Sequence, residues 1–209
     1  AVCVFSLEMS AEQLVTRLLS SEGMVDSYHL RSGELDEEEW SKIANAASAM
    51  AETDILIDDT TGITVSGMKA KLRRVKNLGL IVIDYLQLMQ SEKKTDNRVN
   101  EVADISRSLK LMAKEFGVPV ICCAQLSRGP EKRDDKRPQL SDLRDSGAIE
   151  QDADSVMLLY RSDYYDMDNP VSEAEVIIAK NRHGSVGRVK LGWYGKYTKF
   201  QGYEEDRHE

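Results

Sequence analysis

The sequence predicts an α/β protein built around a mainly parallel sheet. Strand-like and helix-like segments alternate along the chain, which is the order that parallel strands joined by helical crossovers require. The strand-like segments, such as residues 80–84, are continuous apolar runs, as is typical of strands covered on both faces. Two further strand-like segments near the C-terminus predict an antiparallel hairpin at one edge of the sheet.

The first strand and the first helix carry clear local signals. Residues 2–6 are apolar and rich in β-forming side chains, so they predict a buried strand. Ser10 and Gln13 have the spacing of a capping box at the start of a helix, which Gly23 is expected to end. No capping residues precede the first strand, so we expect the chain to begin inside a fold. The apolar face of the helix is expected to comprise Leu14, Leu18 and Leu19.

A second helix and a short strand follow. Asp36 and the glutamates after it predict a helix start, because acidic side chains in the first turn interact favourably with the helix dipole. Residues 55–58 predict a short strand. The apolar stripe of this helix is expected to comprise Trp40, Ile43, Ala47 and Met50.

The middle of the chain continues the alternation. Residues 64–77 predict a basic amphipathic helix, and residues 80–84 predict a strand buried on both faces. Residues 97–116 predict a long helix that Gly117 ends, and residues 118–124 predict another buried strand. The inward face of the long helix is expected to comprise Val99, Val102, Leu109, Met112 and Phe116.

The last third combines a polar segment with further strands. Residues 127–140 are charged and contain two prolines, so they predict a mobile loop. Residues 155–160 predict a strand. Residues 174–180 and 186–194 predict two more, and the short polar link between them contains Gly184, which is typical of a hairpin turn.

At roughly 150 residues per domain, the length of 209 residues indicates one large domain or one domain plus an appendage, and we expect a single domain over residues 1–209. The net charge of −8 does not suggest general binding of nucleic acid, so any such contact must be local. Three cysteines in apolar runs indicate reduced thiols and favour a cytoplasmic location. No apolar stretch approaches the roughly 18 residues of a membrane-spanning helix, and we expect no membrane partner.

Polar residues stand directly after four of the apolar strand-like runs. They are Glu8, Asp84, Gln125 and Lys180. If these strands are neighbours in one sheet, the four side chains converge at its carboxyl edge, where ligands bind in such folds. An acid in that position suits Mg²⁺ beside a nucleoside triphosphate. A single acid would more often cap a helix or turn, so the prediction depends on all four residues together.

Five segments carry a family resemblance. In order and spacing they resemble the motifs of DnaB-type bacterial replicative DNA helicases, over essentially the whole chain. The resemblance implies a RecA-like P-loop NTPase core, with a mainly parallel twisted sheet flanked by helices and a C-terminal antiparallel hairpin. The segments are SLEMS (6–10), VIDYLQL (82–88), AQLSR (124–128), SDLRDSGAIEQDAD (141–154) and AKNRHG (179–184).

The resemblance implies a role for each polar residue at a strand end. Glu8 corresponds to the general base that orients the attacking water, and Asp84 to the Walker B aspartate that acts on Mg²⁺. Gln125 corresponds to the sensor that reports the γ-phosphate to the DNA-binding loops. Lys180 and Arg182 correspond to a basic pair that reaches a neighbouring subunit's nucleotide, with Arg182 as the arginine finger. Without the resemblance, these two would be interpreted as solvated residues at a hairpin tip.

The resemblance also implies a DNA-binding loop. Arg144, Asp145 and Gly147 fall on the loop that grips the single-stranded DNA backbone in relatives. Asp145 departs from the glutamate expected there by one methylene. A glycine lets a phosphate approach main-chain N–H groups closely. Residues 128–144 carry six basic against four acidic side chains and no aromatic residue, so base stacking is not indicated.

A complete phosphate-binding loop is absent from the sequence. Residues 62–69 nearly match G-x-x-x-x-G-K-[ST], but Met68 separates the second glycine from Lys69, and Ala70 stands where a hydroxyl is needed. We interpret this segment as a structural turn. In the family, the phosphate loop lies just before the SLEM segment. We therefore expect an N-terminally truncated motor domain that alone binds ATP poorly and is inactive.

The resemblance implies cofactors and partners as well. ATP and Mg²⁺ are the implied cofactors. Single-stranded DNA, a homohexameric ring, primase and a helicase loader are the implied partners. The predicted function is ATP-driven translocation along single-stranded DNA with duplex unwinding. Two alternatives stay open: a non-hydrolysing RecA-fold strand-binding or oligomerisation module, and a recombinase-like ATPase.

Overall fold

The structure is a computed structural model that describes residues 1–92, 97–143, 147–164 and 173–202. The chain forms two compact units. The first comprises Ala1–Leu14, Met50–Gly129 and Leu140–Ala153. The second comprises Val15–Ala49, Pro130–Gln139 and Asp154–Glu209. A single domain over residues 1–209 stays a prediction.

Strands and helices largely follow the predicted order. The described residues form β1 (Val2–Ser6), β2 (Ile55–Asp58), β3 (Leu80–Asp84), β4 (Val120–Cys122), β5 (Ser155–Arg161), β6 (Glu173–Asn181), β7 (Gly187–Tyr194) and β8 (Lys199–Gly202). The α-helices are α1 (Ala11–Gly23), α2 (Ser27–Ser32), α3 (Glu37–Ala51), α4 (Val65–Leu72), α5 (Arg98–Phe116) and α6 (Gly147–Asp152). Single 3₁₀ turns lie at Leu86–Leu88, Pro130–Lys132, Leu140–Asp142 and Gly195–Tyr197. Of these elements, α2, α6 and β8 were not expected from the sequence.

The first unit is built on a parallel four-stranded sheet. Its strands lie in the order β2-β1-β3-β4, and each neighbouring pair is parallel. The register places Ser6 opposite Asp84, and Ile83 opposite Cys122. Parallel neighbours need crossover connections, which the helices between the strands supply. The predicted α/β fold with a mainly parallel sheet is confirmed.

One face of this sheet carries the core of the first unit. Ile81 and Ile83 are fully buried and pack in one cluster with Met68 of α4 and Met112 of α5. Val82, which alternates onto the other face, is only half-buried, so that face is less covered. The expectation that this strand is buried on both faces is therefore wrong. The apolar residues of α4 and α5 reach the face of Ile81 and Ile83.

Helix ends follow the signals in the sequence. The backbone N–H of Ser10 donates to Gln13 Oε1 at 3.1 Å, and the N–H of Gln13 donates to Ser10 Oγ at 3.3 Å. The predicted capping box is thus confirmed. At α5, the Asn97 side chain accepts from the N–H of Val99 at 2.9 Å. The same helix ends at Gly117, whose φ of 65° lies in the left-handed region that glycine tolerates.

Some apolar side chains lie outside the face predicted for them. In α3 the buried residues are Ile43 and Ala46, which are three positions apart, whereas Ala47 is exposed. The face of α3 that is buried is therefore displaced around the helix axis from the predicted apolar stripe. Three large side chains that were expected inside are substantially exposed, namely Trp40 (58%), Val99 (47%) and Leu18 (38%).

The helix α4 is shorter than the sequence predicts. It ends at Leu72 instead of residue 77, because the N–H of Val75 turns back to the carbonyl of Leu72 at 3.0 Å. Asn77 then adopts a positive φ of 53°, which is incompatible with a continuing helix. None of the helices within the described ranges is long and apolar enough to cross a membrane.

The second unit holds an antiparallel sheet in the order β5-β6-β7-β8. The predicted hairpin is confirmed as β6 and β7, with Glu173 opposite Gly192 and Ile178 opposite Gly187. Within the described residues, these four strands pair only with one another. The expectation that the hairpin extends an edge of the parallel sheet is therefore wrong. Antiparallel strands that follow one another need only short links, whereas a parallel sheet needs crossovers.

The turn between β6 and β7 is organised by Asn181. Its Nδ2 donates to the carbonyl of Ser185 at 3.3 Å, and its Oδ1 accepts from the N–H of His183 at 3.4 Å. A Cβ on Gly184 would lie 2.7 Å from Asn181 Nδ2. Glycine is therefore required at this position unless the asparagine moves.

Residues 130–139 are fastened to the sheet of the second unit by Arg137. Its Nη2 lies 2.6 Å from Oε1 of Glu175 on β6, and its Nε lies 3.0 Å from Oε2. The guanidinium also stacks over the ring of Tyr160 on β5, 5.0 Å from the ring centroid. Glu175 is buried, whereas the Arg137 side chain is 35% exposed, so only the carboxylate of this ion pair is shielded from water. The mobility predicted for residues 127–140 stays a prediction, and Arg137 is an anchor within that segment.

Removing the Glu175 carboxylate should weaken the fold in a pH-dependent way. Hydrogen bonds from Arg137 lower the pKa of Glu175, with Arg188 and Lys190 adding favourable charge. A lowered pKa means that the ion pair stabilises the fold above the unfolded-state pKa, and that this contribution is lost as the pH falls through the folded-state pKa. For Glu175→Gln we expect the free energy of unfolding to drop by about 2 kcal/mol at pH 7. Urea titrations should show this difference shrinking below about pH 4.

A matched control lies two residues earlier on the same strand. The Glu173 carboxylate is 3.8 Å from Lys190 Nζ, and its side chain is 38% exposed, so Glu173→Gln should change stability by less than about 1 kcal/mol. A loss in Glu175→Gln that stayed constant from pH 7 to pH 3 would contradict the assignment of the ion pair.

Candidate functional site

The carboxyl edge of the parallel sheet brings three of the predicted site residues together. Asp84 is the last residue of β3, Glu8 follows β1 by two residues, and Gln125 follows β4 by three. Pairing continues past the strand ends, because the N–H of Leu7 donates to the carbonyl of Asp84 at 2.7 Å. On the other side, the N–H of Cys123 donates to the carbonyl of Ile83 at 2.9 Å. Glu8 and Gln125 therefore leave the sheet on either side of Asp84.

Two other acids at this edge are already used by the fold. Asp58, at the end of β2, forms an ion pair with Lys71 of α4. Burial alone would raise the pKa of Asp58, but hydrogen bonds from Lys71 and Thr60 outweigh it and lower that pKa. Asp59 accepts from the N–H of Ala11 at 2.9 Å and thereby supports the start of α1. Neither acid is as available to a ligand as an unpaired carboxylate would be.

Glu8 and Asp84 differ from those structural acids. Glu8 is exposed and Asp84 is half-buried. Within the described part of the chain, neither side chain makes a hydrogen bond or an ion pair. The peptide bond that follows Asp84 is cis. Two carboxylates without a partner among the described residues thus lie at the ends of the neighbouring strands β1 and β3.

The surroundings of Asp84 include two thiols that stay uncharged. Burial, together with the charge of the Asp84 carboxylate, raises the pKa of the Cys122 thiol to about 12. The pKa of Cys123 is raised by burial and by the Asp84 carboxylate. Because both thiols stay protonated at neutral pH, the negative charge at this edge comes from carboxylates.

The carboxylates of Asp84 and Glu8 suit a hard cation that is also bound by the phosphate oxygens of a nucleotide. In the described ranges, no group of three or more His, Cys, Asp or Glu side chains is placed to hold a metal ion. Mg²⁺ in nucleotide sites needs only one or two protein carboxylates, because phosphate oxygens and water complete its shell. Asp84 fits that requirement, with Glu8 beside it.

Lys180 does not belong to this edge. It lies on β6, opposite Val156 of β5, in the antiparallel sheet of the second unit. The expectation that all four polar residues follow neighbouring strands of one sheet is therefore wrong for Lys180. The reason is that its strand forms a hairpin with β7 and pairs with β5 instead of entering the parallel order.

Arg182 lies in the turn directly after β6 and pairs with Asp154. Its backbone N–H donates to the Asp154 carbonyl at 2.8 Å, and its Nη1 lies 3.0 Å from Asp154 Oδ1. The two side chains are 46% and 49% exposed, so the ion pair is solvated. The guanidinium is thus held at the surface and accessible.

The predicted DNA-binding residues are only partly described. Arg144 and Asp145 lie outside the described residues. Gly147 is exposed and is the first residue of α6. Apart from its own helix backbone and chain neighbours, no described residue has an atom within 4 Å of the place where a Cβ would be. The end of α6 is tied to α5, because Ser106 Oγ donates to Asp152 Oδ2 at 2.9 Å.

A backbone bridge joins the segment after Gln125 to the segment before residue 144. Leu126 pairs with Leu143 in an isolated antiparallel bridge. Next to it, the N–H of Ser127 donates to the carbonyl of Asp142 at 2.7 Å. The residue after Gln125 and the residue before Arg144 are therefore held side by side, although they are far apart in sequence.

The segment that nearly matches a phosphate loop is occupied by side chains of the protein. The N–H of Gly67 donates to Thr64 Oγ1 at 3.2 Å, and the N–H of Ser66 donates to Glu92 Oε1 at 2.9 Å. Hydrogen bonds from the side chain and the backbone of Ser66 lower the pKa of Glu92. The amides of Ser66 and Gly67 at the start of α4 are thus already bonded to side chains of the protein. The interpretation of residues 62–69 as a structural turn stays a prediction.

Two polar residues that contact predicted site residues were missed by the sequence analysis. Gln87 contacts the backbone of Gln125, and Asp154 pairs with Arg182. The signal for Gln87 was a polar residue inside the apolar run that follows Asp84. Asp154 carried no comparable signal, because an acid just before a strand is common.

Comparison with known proteins agrees with the resemblance read from the motifs. Residues 1–202 match the family described as DnaB-like helicase C terminal domain. The replicative DNA helicase DnaC of Bacillus subtilis is 53% identical over 209 residues, which cover 98% of this chain and 46% of that protein. The replicative DNA helicase DnaB of Geobacillus stearothermophilus is 52% identical over 208 residues, which cover 97% of this chain and 46% of that protein.

Solved structures agree in fold. A DnaB-like replicative helicase, studied with its interactions with primase, superposes with a TM-score of 0.92 at 39% identity, covering 98% of this chain and 51% of that one. A second solved structure, an ATPase domain, superposes with a TM-score of 0.92 at 40% identity, covering 98% of this chain and 75% of that one. The chain spans about half the length of the curated relatives it matches. It has a RecA-like α/β fold and belongs to the DnaB-like helicase C-terminal domain family.

Proposed function

We propose that the protein carrying this chain is an ATP-dependent replicative DNA helicase and that this chain supplies part of its motor. The observation that supports this most is the placement of Glu8, Asp84 and Gln125 after three neighbouring parallel strands. That placement occurs in a chain 53% identical to a replicative helicase. The motor couples ATP hydrolysis to movement along single-stranded DNA.

Each residue at the carboxyl edge takes a separate role. The Glu8 carboxylate accepts a proton from the attacking water and orients it, which an exposed carboxylate without other partners can do. Asp84 would hold Mg²⁺, which would supply positive charge to neutralise the phosphate oxygens. The Gln125 amide reads the γ-phosphate. The bridge between Leu126 and Leu143 then couples the backbone next to Gln125 to the loop of Arg144, Asp145 and Gly147, which binds single-stranded DNA.

The residues of β6 and its turn serve a neighbouring subunit in this proposal. Arg182 is accessible at the surface, and its solvated pair with Asp154 can be replaced by a phosphate group. Lys180 lies two residues earlier on the strand that leads to this turn. In a ring in which nucleotide lies between subunits, the carboxyl edge of one subunit and Arg182 of the next would both face it. The implied ring is a homohexamer.

Partners and location follow from the same proposal. Primase and a helicase loader are proposed partners, and one structural relative was determined together with its primase interactions. All three cysteines are free thiols, which suits the reducing cytoplasm.

The proposed base can be tested with Glu8→Gln in the full-length protein. We expect the turnover number for ATP to fall at least about 100-fold, because the amide cannot accept the proton of the attacking water. Binding of a fluorescent ATP analogue should stay within a few-fold of wild type. Glu12→Gln, four residues later in α1, is the matched control and should retain activity. Undiminished turnover in Glu8→Gln would remove this assignment.

The proposed arginine finger is tested by Arg182→Ala. Turnover should fall on the order of 1000-fold, while nucleotide binding largely survives, because a finger stabilises charge that develops only during transfer. Arg182→Lys should rescue poorly, since it lacks the planar guanidinium fork. Lys190→Ala on β7 serves as the control for loss of a basic side chain.

Mixed oligomers show whether Arg182 acts on a neighbour. In a mixture of Glu8→Gln and Arg182→Ala subunits, some interfaces combine an intact base with an intact finger. ATPase activity above that of either variant alone is expected. A mixture no more active than its components would argue against action between subunits.

The DNA-binding loop is tested by Arg144→Ala. Single-strand binding should weaken, and the slope of log K against log salt should become shallower by about 0.7, because one fewer phosphate is neutralised. Fluorescence anisotropy with an oligothymidylate at several salt concentrations measures this. Arg31→Ala on α2 is the control. An unchanged slope in Arg144→Ala would count against the loop.

A further inference from the structure

The side chain of Gln87 forms a clamp on the backbone of Gln125. Gln87 lies in the 3₁₀ turn Leu86–Leu88, three residues after Asp84. Its Nε2 donates to the carbonyl of Gln125 at 3.3 Å, and its Oε1 accepts from the N–H of Gln125 at 3.1 Å. One side-chain amide thus satisfies both backbone groups of a single residue, as a neighbouring strand would.

The clamp begins where the sheet stops. β4 ends at Cys122, and the last backbone bond along this path runs from the N–H of Leu86 to the carbonyl of Cys123 at 3.0 Å. Gln125 lies two residues beyond that bond and is exposed. Gln87 therefore extends the pairing between the β3 and β4 segments to a residue that the strands no longer hold.

The backbone of Gln87 is itself fixed by the start of α5. The guanidinium of Arg98 donates to the carbonyl of Gln87. Arg98 in turn forms an ion pair with Glu101, one turn along the same helix. Glu101 also accepts from the N–H of Ser91 at 3.3 Å. The backbone of Gln87 is therefore held by α5, so the clamp does not depend on an unsupported loop.

The clamp uses only the backbone of Gln125. Among the described residues, the side-chain amide of Gln125 forms no hydrogen bond. Its main chain is thus held at a fixed distance from Asp84, while its functional group stays available to a ligand. This combination is what a residue that senses a small displacement of a phosphate would require.

We propose that Gln87 is a positioning residue that sets where the Gln125 amide meets the terminal phosphate of the nucleotide. The proposal rests on the function proposed above for Gln125. It assigns to the polar residue of the VIDYLQL segment a role in the chemical step, carried out through Gln125. Asp84 and Gln87 then fix the metal and the sensing amide from one short stretch of chain.

Gln87→Met in the full-length protein tests the proposal. Methionine has a similar length and shape but cannot bond to the Gln125 backbone. We expect DNA-stimulated kcat for ATP to fall on the order of tenfold, with KM for ATP within about twofold, because misplacement affects the transition state more than binding. Gln87→Glu keeps the acceptor for the Gln125 N–H and should fall between Gln87→Met and wild type.

Gln90→Met is the matched control. Gln90 lies three residues further along the chain, is exposed, and lies against Gly62 instead of Gln125. Its kcat and KM should equal those of wild type. An equal loss of kcat in Gln87→Met and Gln90→Met would overturn the proposal. So would an effect of Gln87→Met seen only as a higher KM.

A double-mutant cycle separates this proposal from the function of Gln125 itself. In a Gln125→Ala background the backbone remains but the amide is gone, so adding Gln87→Met should change kcat less than about twofold. A full tenfold further loss would mean that Gln87 acts through something else. If Gln125→Ala alone leaves kcat unchanged, the sensor role fails and the positioning role with it. If only Gln87→Met is without effect, the positioning role alone fails.

Discussion

Parallel pairing of β1, β3 and β4 is the constraint on which the candidate site depends. Neighbouring strands lie about 4.8 Å apart, so residues that leave adjacent strands at the same level are necessarily close. The bonds from Leu7 to Asp84 and from Cys123 to Ile83 carry this register to the last residues of the sheet. The placement of Glu8 and Asp84 therefore follows from backbone geometry and needs no direct contact between their side chains.

Charge at the carboxyl edge is divided between structure and function. Asp58 and Asp59 are committed to Lys71 and to the start of α1, so they add stability and little free negative field. Glu8 and Asp84 are left without such partners in the described part of the chain. An acidic chain can thus present a small and specific set of carboxylates to a cation, instead of a diffuse negative surface.

The sequence was sufficient where signals were local. The capping box of Ser10 and Gln13, the end of α5 at Gly117 and the turn around Gly184 depend on neighbouring residues, and all were predicted correctly. The sheet that Lys180 joins was predicted wrongly, because strand partners are chosen by tertiary packing and apolar runs look alike in either sheet. The clamp by Gln87 could not be predicted, since it depends on how the chain after β3 meets the chain after β4.

The bridge between Leu126 and Leu143 also bears on how the chain can vary. It joins the two ends of the segment of residues 128–141, so the length of that segment has little influence on the bridge itself. For a flexible loop closed in this way, doubling the length costs only about 0.6 kcal/mol. Residues 138–142 are poor places for an insertion, because Pro138 and Asp142 are buried. Insertions at the exposed bend around Asp134, which precedes the anchor Arg137, should be tolerated more easily than a single deletion at Leu126 or Leu143. That bend is thus the natural place to attach a reporter group without disturbing the bridge.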